Sequence, residues 1–210
     1  MFKNKKHLFF DLDHTLWDYD TCSNETLKEL YEEFELGNNG FDIDSFLRQF
    51  RIINEDLWDQ FHLGKIGKEV IRTDRFPAIL KALNLEDNKL ALLIQTEYLN
   101  NCPRKPYLID GAFEILTILE KRYSLHIITN GFDEVQDTKM NSGGIRHFFD
   151  EVITSGQVGY HKPDKRIFEY AFSKAKTTAE ESLMIGDNPI SDIEGAYNAG
   201  LDQVFFNPGN

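Results

Sequence analysis

The chain has 210 residues, 41% of them apolar, and a net charge of -12. That size suits one large domain or a core with a small insert, with enough apolar material for a true hydrophobic core. The acidic balance argues against nucleic-acid polymers and anionic membrane surfaces as partners, yet it permits a small anionic substrate beside a divalent cation that reverses the local field.

The N-terminal stretch MFKNKKHLFFDLD begins basic, with Lys3, Lys5 and Lys6 read as a solvated end. Its apolar run lasts only from Leu8 to Phe10, too short for a signal peptide or a membrane span. His7 to Leu12 reads as a short buried strand delivering Asp11 and Asp13. Leu27, Leu30, Tyr31 and Phe34 then recur at helical spacing, with Ser23 or Asn24 as a cap. ELGNNGFD breaks that helix. A second helical face carries Phe46, Phe50, Ile53, Leu57 and Phe61, and further helices are predicted over 72–83 and 88–99. Residues 18–98 are thus expected to be all-helical. The two cysteines, Cys22 and Cys102, form neither a disulfide framework nor a CxxC pair, which points to a reducing compartment, with the cytoplasm as the expected location.

NCPRKPYLIDG reads as a proline-rich return to a different architecture. Beyond it, helices are predicted over 112–121, 134–142, 164–174 and 192–199. Strands are predicted over 125–129, 151–154, 183–185 and 203–206. Alternation at this spacing implies a parallel sheet covered by helices, which the first strand joins. The expected fold class is α/β, a Rossmann-like parallel sheet made from residues 1–17 and 99–210, with a helical cap over 18–98 inserted after its first strand.

In such a sheet, ligands bind beyond the carboxyl ends of the strands. Asp11 and Asp13 come after the first strand, Thr129, Asn130 and Gly131 after the second, Lys162 after the third, and Asp187, Asn188 and Asp192 after the fourth. Asp11, Asp13 and Asp187 offer oxygen donors to a hard cation, of which Mg2+ suits best because it retains waters and takes few protein ligands. Thr129 and nearby backbone amides can donate to phosphoryl oxygens, and Lys162 adds positive charge. His62, His126, His147 and His161 lack metal-ligand spacing. Trp17, Asp18 and Tyr19 lie at the junction of core and cap, where an aromatic ring could meet substrate or simply form a hinge.

DLDHTLWD, TNG, KP and GDNPISD, in that order, resemble the four motifs of the haloacid dehalogenase-like phosphohydrolases, and the resemblance spans the chain. It implies that Asp11 is the nucleophile forming an aspartyl-phosphate. It implies that Asp13 protonates the leaving group and then activates water, while its backbone carbonyl touches Mg2+. Thr129 and Asn130 would bind phosphate together with Lys162. Asp187 would bind the metal, with Asp192 and Asn188 behind it and Asp192 also suited to holding Lys162. Two positions depart from the family pattern: His14 replaces the usual glycine and is expected to face cap or substrate, and Asn188 replaces a serine or aspartate. Asp13 itself weighs against the dehalogenases of the superfamily, which lack that acid/base residue.

Within the family the chain looks most like the bacterial pyrimidine 5'-nucleotidases. The resemblance therefore implies a Mg2+-dependent phosphomonoesterase acting on small phosphorylated metabolites, nucleoside monophosphates first, as a monomer or homodimer. The rivals are a sugar-phosphate phosphatase, a phosphosugar mutase, and a non-catalytic binding protein on the same fold.

Overall fold

The computed structural model describes residues 4–208. Chain contacts divide the protein into two units: one runs up to Tyr19 and resumes at Pro106, and the other spans Asp20–Lys105. The return therefore lies beyond the expected 98/99 boundary, because the last helix of the insert continues to Asn101 and Pro103 sits in a 3-10 turn that succeeds it.

In chain order the elements begin with strand β1 (His7–Phe10), then helices α1 (Tyr19–Glu33), α2 (Ile43–His62), α3 (Lys68–Ala82) and α4 (Asn88–Asn101). After the return come α5 (Ala112–Leu119), β2 (Ser124–Thr129), α6 (Asp133–Ser142), β3 (Phe149–Thr154), the single turn α7 (Ser155–Val158) and α8 (Lys165–Ala175). The last elements are β4 (Ser182–Gly186), a π-helical turn Pro189–Glu194, α9 (Gly195–Asn198) and β5 (Asp202–Phe205).

The five strands form one parallel sheet in the order β3-β2-β1-β4-β5. Central strands buried on both faces should be apolar throughout, and Phe9, Ile127, Ile128 and Met184 are fully buried. Phe9, Ile128, Ile153 and Met184 pack with Ile167, Phe168 and Ala171 of α8 and Ala196 of α9 in one core cluster. The next residue of β1, Phe10, turns to the other face, where its ring meets Phe149 edge-on at 6.4 Å. The sequence pattern of the sheet is thus the pattern of its core.

At the amino edge of the sheet, the Lys5 side chain is not the solvated group expected. It pairs with Asp202 at 2.9 Å and donates to the Glu180 carbonyl. Lys6 is exposed and pairs with Glu181. Lys3 lies outside the described residues. His126 of β2 is buried, stacked on Phe9 at 4.8 Å, and bonded through Nε2 to His7 Nδ1 at 3.0 Å.

The helical unit is built on capped amphipathic helices. Asp42 accepts from the Ser45 N–H and Asp87 from the Leu90 N–H, which satisfies N–H groups that each helix start leaves open. α1 begins at Tyr19, four residues before the expected cap. Ser23 is accordingly buried inside the helix, where its hydroxyl accepts from Tyr98 at 3.0 Å. Arg75 of α3 is also buried. Its guanidinium donates to Asn54 and Gln95 and lies 4.7 Å from the ring centre of Tyr98, with Phe50 and Phe76 each at 5.4 Å. Among the described residues no helix of either unit is long and apolar enough to cross a membrane.

Candidate active site

The sheet grows from β1 in both directions: the chain builds β2 and β3 on one side, then crosses back to place β4 and β5 on the other. β1 and β4 therefore meet at the switch point where an open α/β sheet leaves a crevice at its carboxyl edge. Phe10 aligns with both Ile127 and Ile185, and the ladder continues one residue further, with the Asp11 N–H donating to the Ile185 carbonyl at 2.9 Å. Asp11 is thus held by the backbone at the sheet edge.

Lys162 arrives from the segment after β3 and is 1% exposed. Its ammonium lies 2.6 Å from Asp11 Oδ1 and 2.6 Å from Asp192 Oδ1. The Asn130 side chain holds the lysine's backbone, accepting from its N–H and donating to its carbonyl, both at 2.9 Å. Asn130 was expected on phosphate; its side-chain amide is engaged by Lys162 instead. Thr129, next to it at the end of β2, is buried, and its hydroxyl accepts from the Gly131 N–H at 3.0 Å, which leaves its own proton to donate.

The loop after β4 brings in the remaining acids. Gly186 ends the strand, and a Cβ there would lie 2.3 Å from Asp192 Oδ2, so only glycine admits this approach. The Asp192 Oδ2 accepts from the Asn188 N–H at 3.0 Å. The Asn188 side chain caps the next turn, accepting from the N–H groups of Ile190 and Ser191. That turn is π-helical, a form that recurs at functional sites, and it begins ahead of the helix predicted over 192–199, overlapping only its first positions. It seats Asp192 fully buried against Lys162. Asp187 is oriented by Thr15, whose hydroxyl donates to its Oδ1 at 2.9 Å.

Asp11, Asp187 and Asp192 each present a carboxylate oxygen, all within 4.8 Å of one another. Burial, and after it the charges of Asp192 and Asp187, push the Asp11 carboxyl well above its usual range despite Lys162. Burial and then Asp192 push Asp187 up as well, against the hydrogen bond from Thr15. Burial alone would weaken the Lys162 ammonium, but Asp11 and Asp192 outweigh it and hold its pKa above the ordinary lysine value. Three carboxylates against one ammonium leave the cluster short of positive charge. An all-oxygen donor set of this kind suits a hard divalent cation that keeps several waters.

Asp13 does not join that cluster with its side chain. Both of its oxygens face Lys139 of α6, at 2.7 and 2.8 Å. Sequence reasoning missed Lys139, although it occupies the buried face of α6 with Val135, Gln136 and Met140, at the spacing where an apolar residue is expected. Thr15 was also missed, though it lies inside DLDHTLWD. Trp17 is fully buried rather than presented to a substrate, and Lys139 Nζ lies 4.6 Å from its ring centre. His14 is exposed with φ +63°, in the left-handed region where glycine is favoured, which explains why its place in the motif is usually glycine.

The haloacid dehalogenase-like hydrolase family model matches residues 8–206, and the chain belongs to that family. The fold is shared with the HAD-hydrolase YfnB of Bacillus subtilis bound to magnesium, at TM-score 0.90 and 32% identity over 99% of this chain and 91% of that one. The pyrimidine 5'-nucleotidase PynA of Streptococcus pneumoniae is 31% identical over 97% of this chain and 84% of its own length. The glyceraldehyde 3-phosphate phosphatase of Methanothermobacter thermautotrophicus is 42% identical over 96% of this chain and 85% of its own length.

Proposed function

We propose that the protein is a Mg2+-dependent phosphomonoester hydrolase working through an aspartyl-phosphate on Asp11, with nucleoside monophosphates as favoured substrates. One observation carries this reading: Asp11, at the edge of the central strand, shares the buried ammonium of Lys162 with Asp192 while Asp187 stands within metal-ligating reach. A carboxylate and a phosphate dianion repel each other, so attack requires concentrated positive charge at that point. Mg2+ held by Asp11 and Asp187, with the Asp13 carbonyl as a further donor, would supply most of that charge.

The steps then belong to the chain's own residues. Asp11 Oδ2 attacks phosphorus while its Oδ1 stays with Lys162. The bond from phosphorus to the ester oxygen breaks, and the leaving oxygen takes a proton from Asp13. Asp13, now a carboxylate, accepts a proton from water as that water attacks phosphorus. Inorganic phosphate leaves and the Asp11 carboxylate is restored. Thr129 donates to a phosphoryl oxygen, and Lys162 offsets charge on the same group. Asp192, with Asn130, keeps Lys162 in place.

The helical unit Asp20–Lys105 is the cap in this proposal. Nucleotidase relatives support the nucleotide reading. The higher identity to glyceraldehyde 3-phosphate phosphatase favours a second one, a small sugar phosphate hydrolysed by the same residues. The test is phosphate release from nucleoside monophosphates and sugar phosphates, with Mg2+ and with chelator, beside Asp11→Asn. Release that needs metal and is lost in the variant, by about 10^4-fold or more as for other nucleophile removals, supports the hydrolase. The panel then chooses the substrate. A rearranged phosphosugar in place of free phosphate would make the protein a mutase. Full activity in Asp11→Asn would end the proposal.

A further inference from the structure

The two aspartates of DLD are served by two different lysines. Lys162 is committed to Asp11 and Asp192. Lys139 spans both oxygens of Asp13, at 2.7 and 2.8 Å, and its side chain is 7% exposed. Such a lysine, held on a helix face among Val135, Gln136 and Met140, has lost most of its solvent and rotamer freedom.

What holds it is also visible. The ammonium sits over Trp17, 4.6 Å from the ring centre, and Trp17 is wholly buried. The loop after β1 folds back to provide that surface: the Trp17 N–H donates to the Leu12 carbonyl at 2.9 Å, and the His14 N–H donates to the Trp17 carbonyl at 3.0 Å. The segment that carries Asp13 thus builds the aromatic wall that backs Asp13's own cation, and cation–ring attraction strengthens when water is excluded. α6 begins at Asp133, close behind Thr129, so one short helix joins the end of β2 to the Asp13 carboxylate.

We propose that Lys139, backed by Trp17, is a positioning residue that sets the orientation of the Asp13 carboxylate for proton transfer to the leaving oxygen and from the attacking water. The proposal rests on the hydrolase reading above. When Asp13 carries the proton it gives, that proton takes one oxygen and the Lys139 ammonium keeps the other. When it takes a proton from water, the freed oxygen receives it, and a misplacement of about 1 Å in either state can lose about 10^2-fold in rate. Lys139 does not touch the reacting atoms. It acts through Asp13.

The test compares two esters by kcat/KM, which reports the first irreversible step. An alkyl phosphate such as a nucleoside monophosphate leaves as a poor anion and needs the proton. 4-Nitrophenyl phosphate leaves as a stable phenolate and needs it little. Lys139→Met is expected to reduce kcat/KM for the alkyl ester by about 10^2-fold, within the range for general acid catalysis, and for the aryl ester by less than about fivefold. Slowed water activation would let the aspartyl-phosphate accumulate, seen as a nitrophenolate burst matching the enzyme concentration. Lys139→Arg should restore most of the alkyl activity. Should Lys139→Met fail to fold, Lys139→Gln carries the same comparison. Equal losses on both esters, or none on either, overturn the proposal while an inactive Asp11→Asn leaves the hydrolase reading intact. Unimpaired Asp11→Asn overturns both.

Discussion

Lys162 of the α/β unit and Arg75 of the helical unit are both buried cations, and the two are treated in opposite ways. In the α/β unit Lys162 lies between two carboxylates at 2.6 Å, with a third, Asp187, near them. In the helical unit Arg75 is met by amide oxygens and ring faces. The first arrangement concentrates charge that opposes itself, which stability alone would not select and phosphoryl chemistry requires. The second disperses one charge over polar and aromatic neighbours, as structural packing does. On the proposed function, the contrast separates a buried cation held for chemistry from one held for folding.

The contrast can be broken most forcefully at Lys162. Lys162→Met leaves Asp11 and Asp192 buried without their cation, and the expected loss is about 3–5 kcal/mol at neutral pH together with the activity. Urea unfolding should show it, with the deficit shrinking as acid protonates the carboxylates. A shift no larger than that of Arg75→Met would mean that the two cations are not different in kind.

A second test lies at the other edge of the same sheet. Burial, and then the charge of His7, lower the His126 pKa to about 4. Among the described residues its Nδ1 has no partner, so charging the ring would leave a buried N–H there with no acceptor. The folded pKa lies below the unfolded one, so the unfolded state binds the extra proton between them. This stability is complete above about 6.5 and is lost as pH falls toward about 4, by about 3 kcal/mol at most. Denaturation of His126→Leu at several pH values should give a flatter acid limb than wild type. An unchanged limb would assign the acid loss to other groups.

Arg75→Met should cost less, about 1–2 kcal/mol, because it strands two amide oxygens rather than two carboxylates. Chemical denaturation measures it directly. The smallest effect is expected at His14. Relief of its left-handed backbone by His14→Gly is worth about 1–2 kcal/mol, and the added freedom of glycine in the unfolded chain takes back about half of that, leaving a small rise in melting temperature. A fall would show that the His14 ring, 4.9 Å from Tyr19, contributes more than its backbone loses.

Much of the fold and half of the site were legible in one dimension. Asp11, Thr129 and Asp187 each come at or just after a run of strand-forming residues, with Lys162 in the longer connection that follows β3, and parallel strands carry their carboxyl-terminal residues to one edge. The alternation of apolar runs and helical faces announced the sheet and the helical insert between its first two strands. The helix boundaries were less secure. α1 starts four residues before its expected cap, since Ser23 is satisfied by Tyr98, 75 positions away, and not by its own N-terminus.

The order of polar strand endings is a property of the chain alone, because local hydrophobic periodicity sets element type and the end of a strand sets where its next residues go. The partners of those endings are a property of the packed molecule. Lys139 and Asp13 are 126 positions apart, Thr15 and Asp187 are 172 apart, and Arg75 reads as an ordinary surface residue until helices α2 and α4 close on it. A charged residue at a helical position looks solvated in one dimension. Whether it is buried depends on what the rest of the chain brings to its other end, and that information lies in long-range packing.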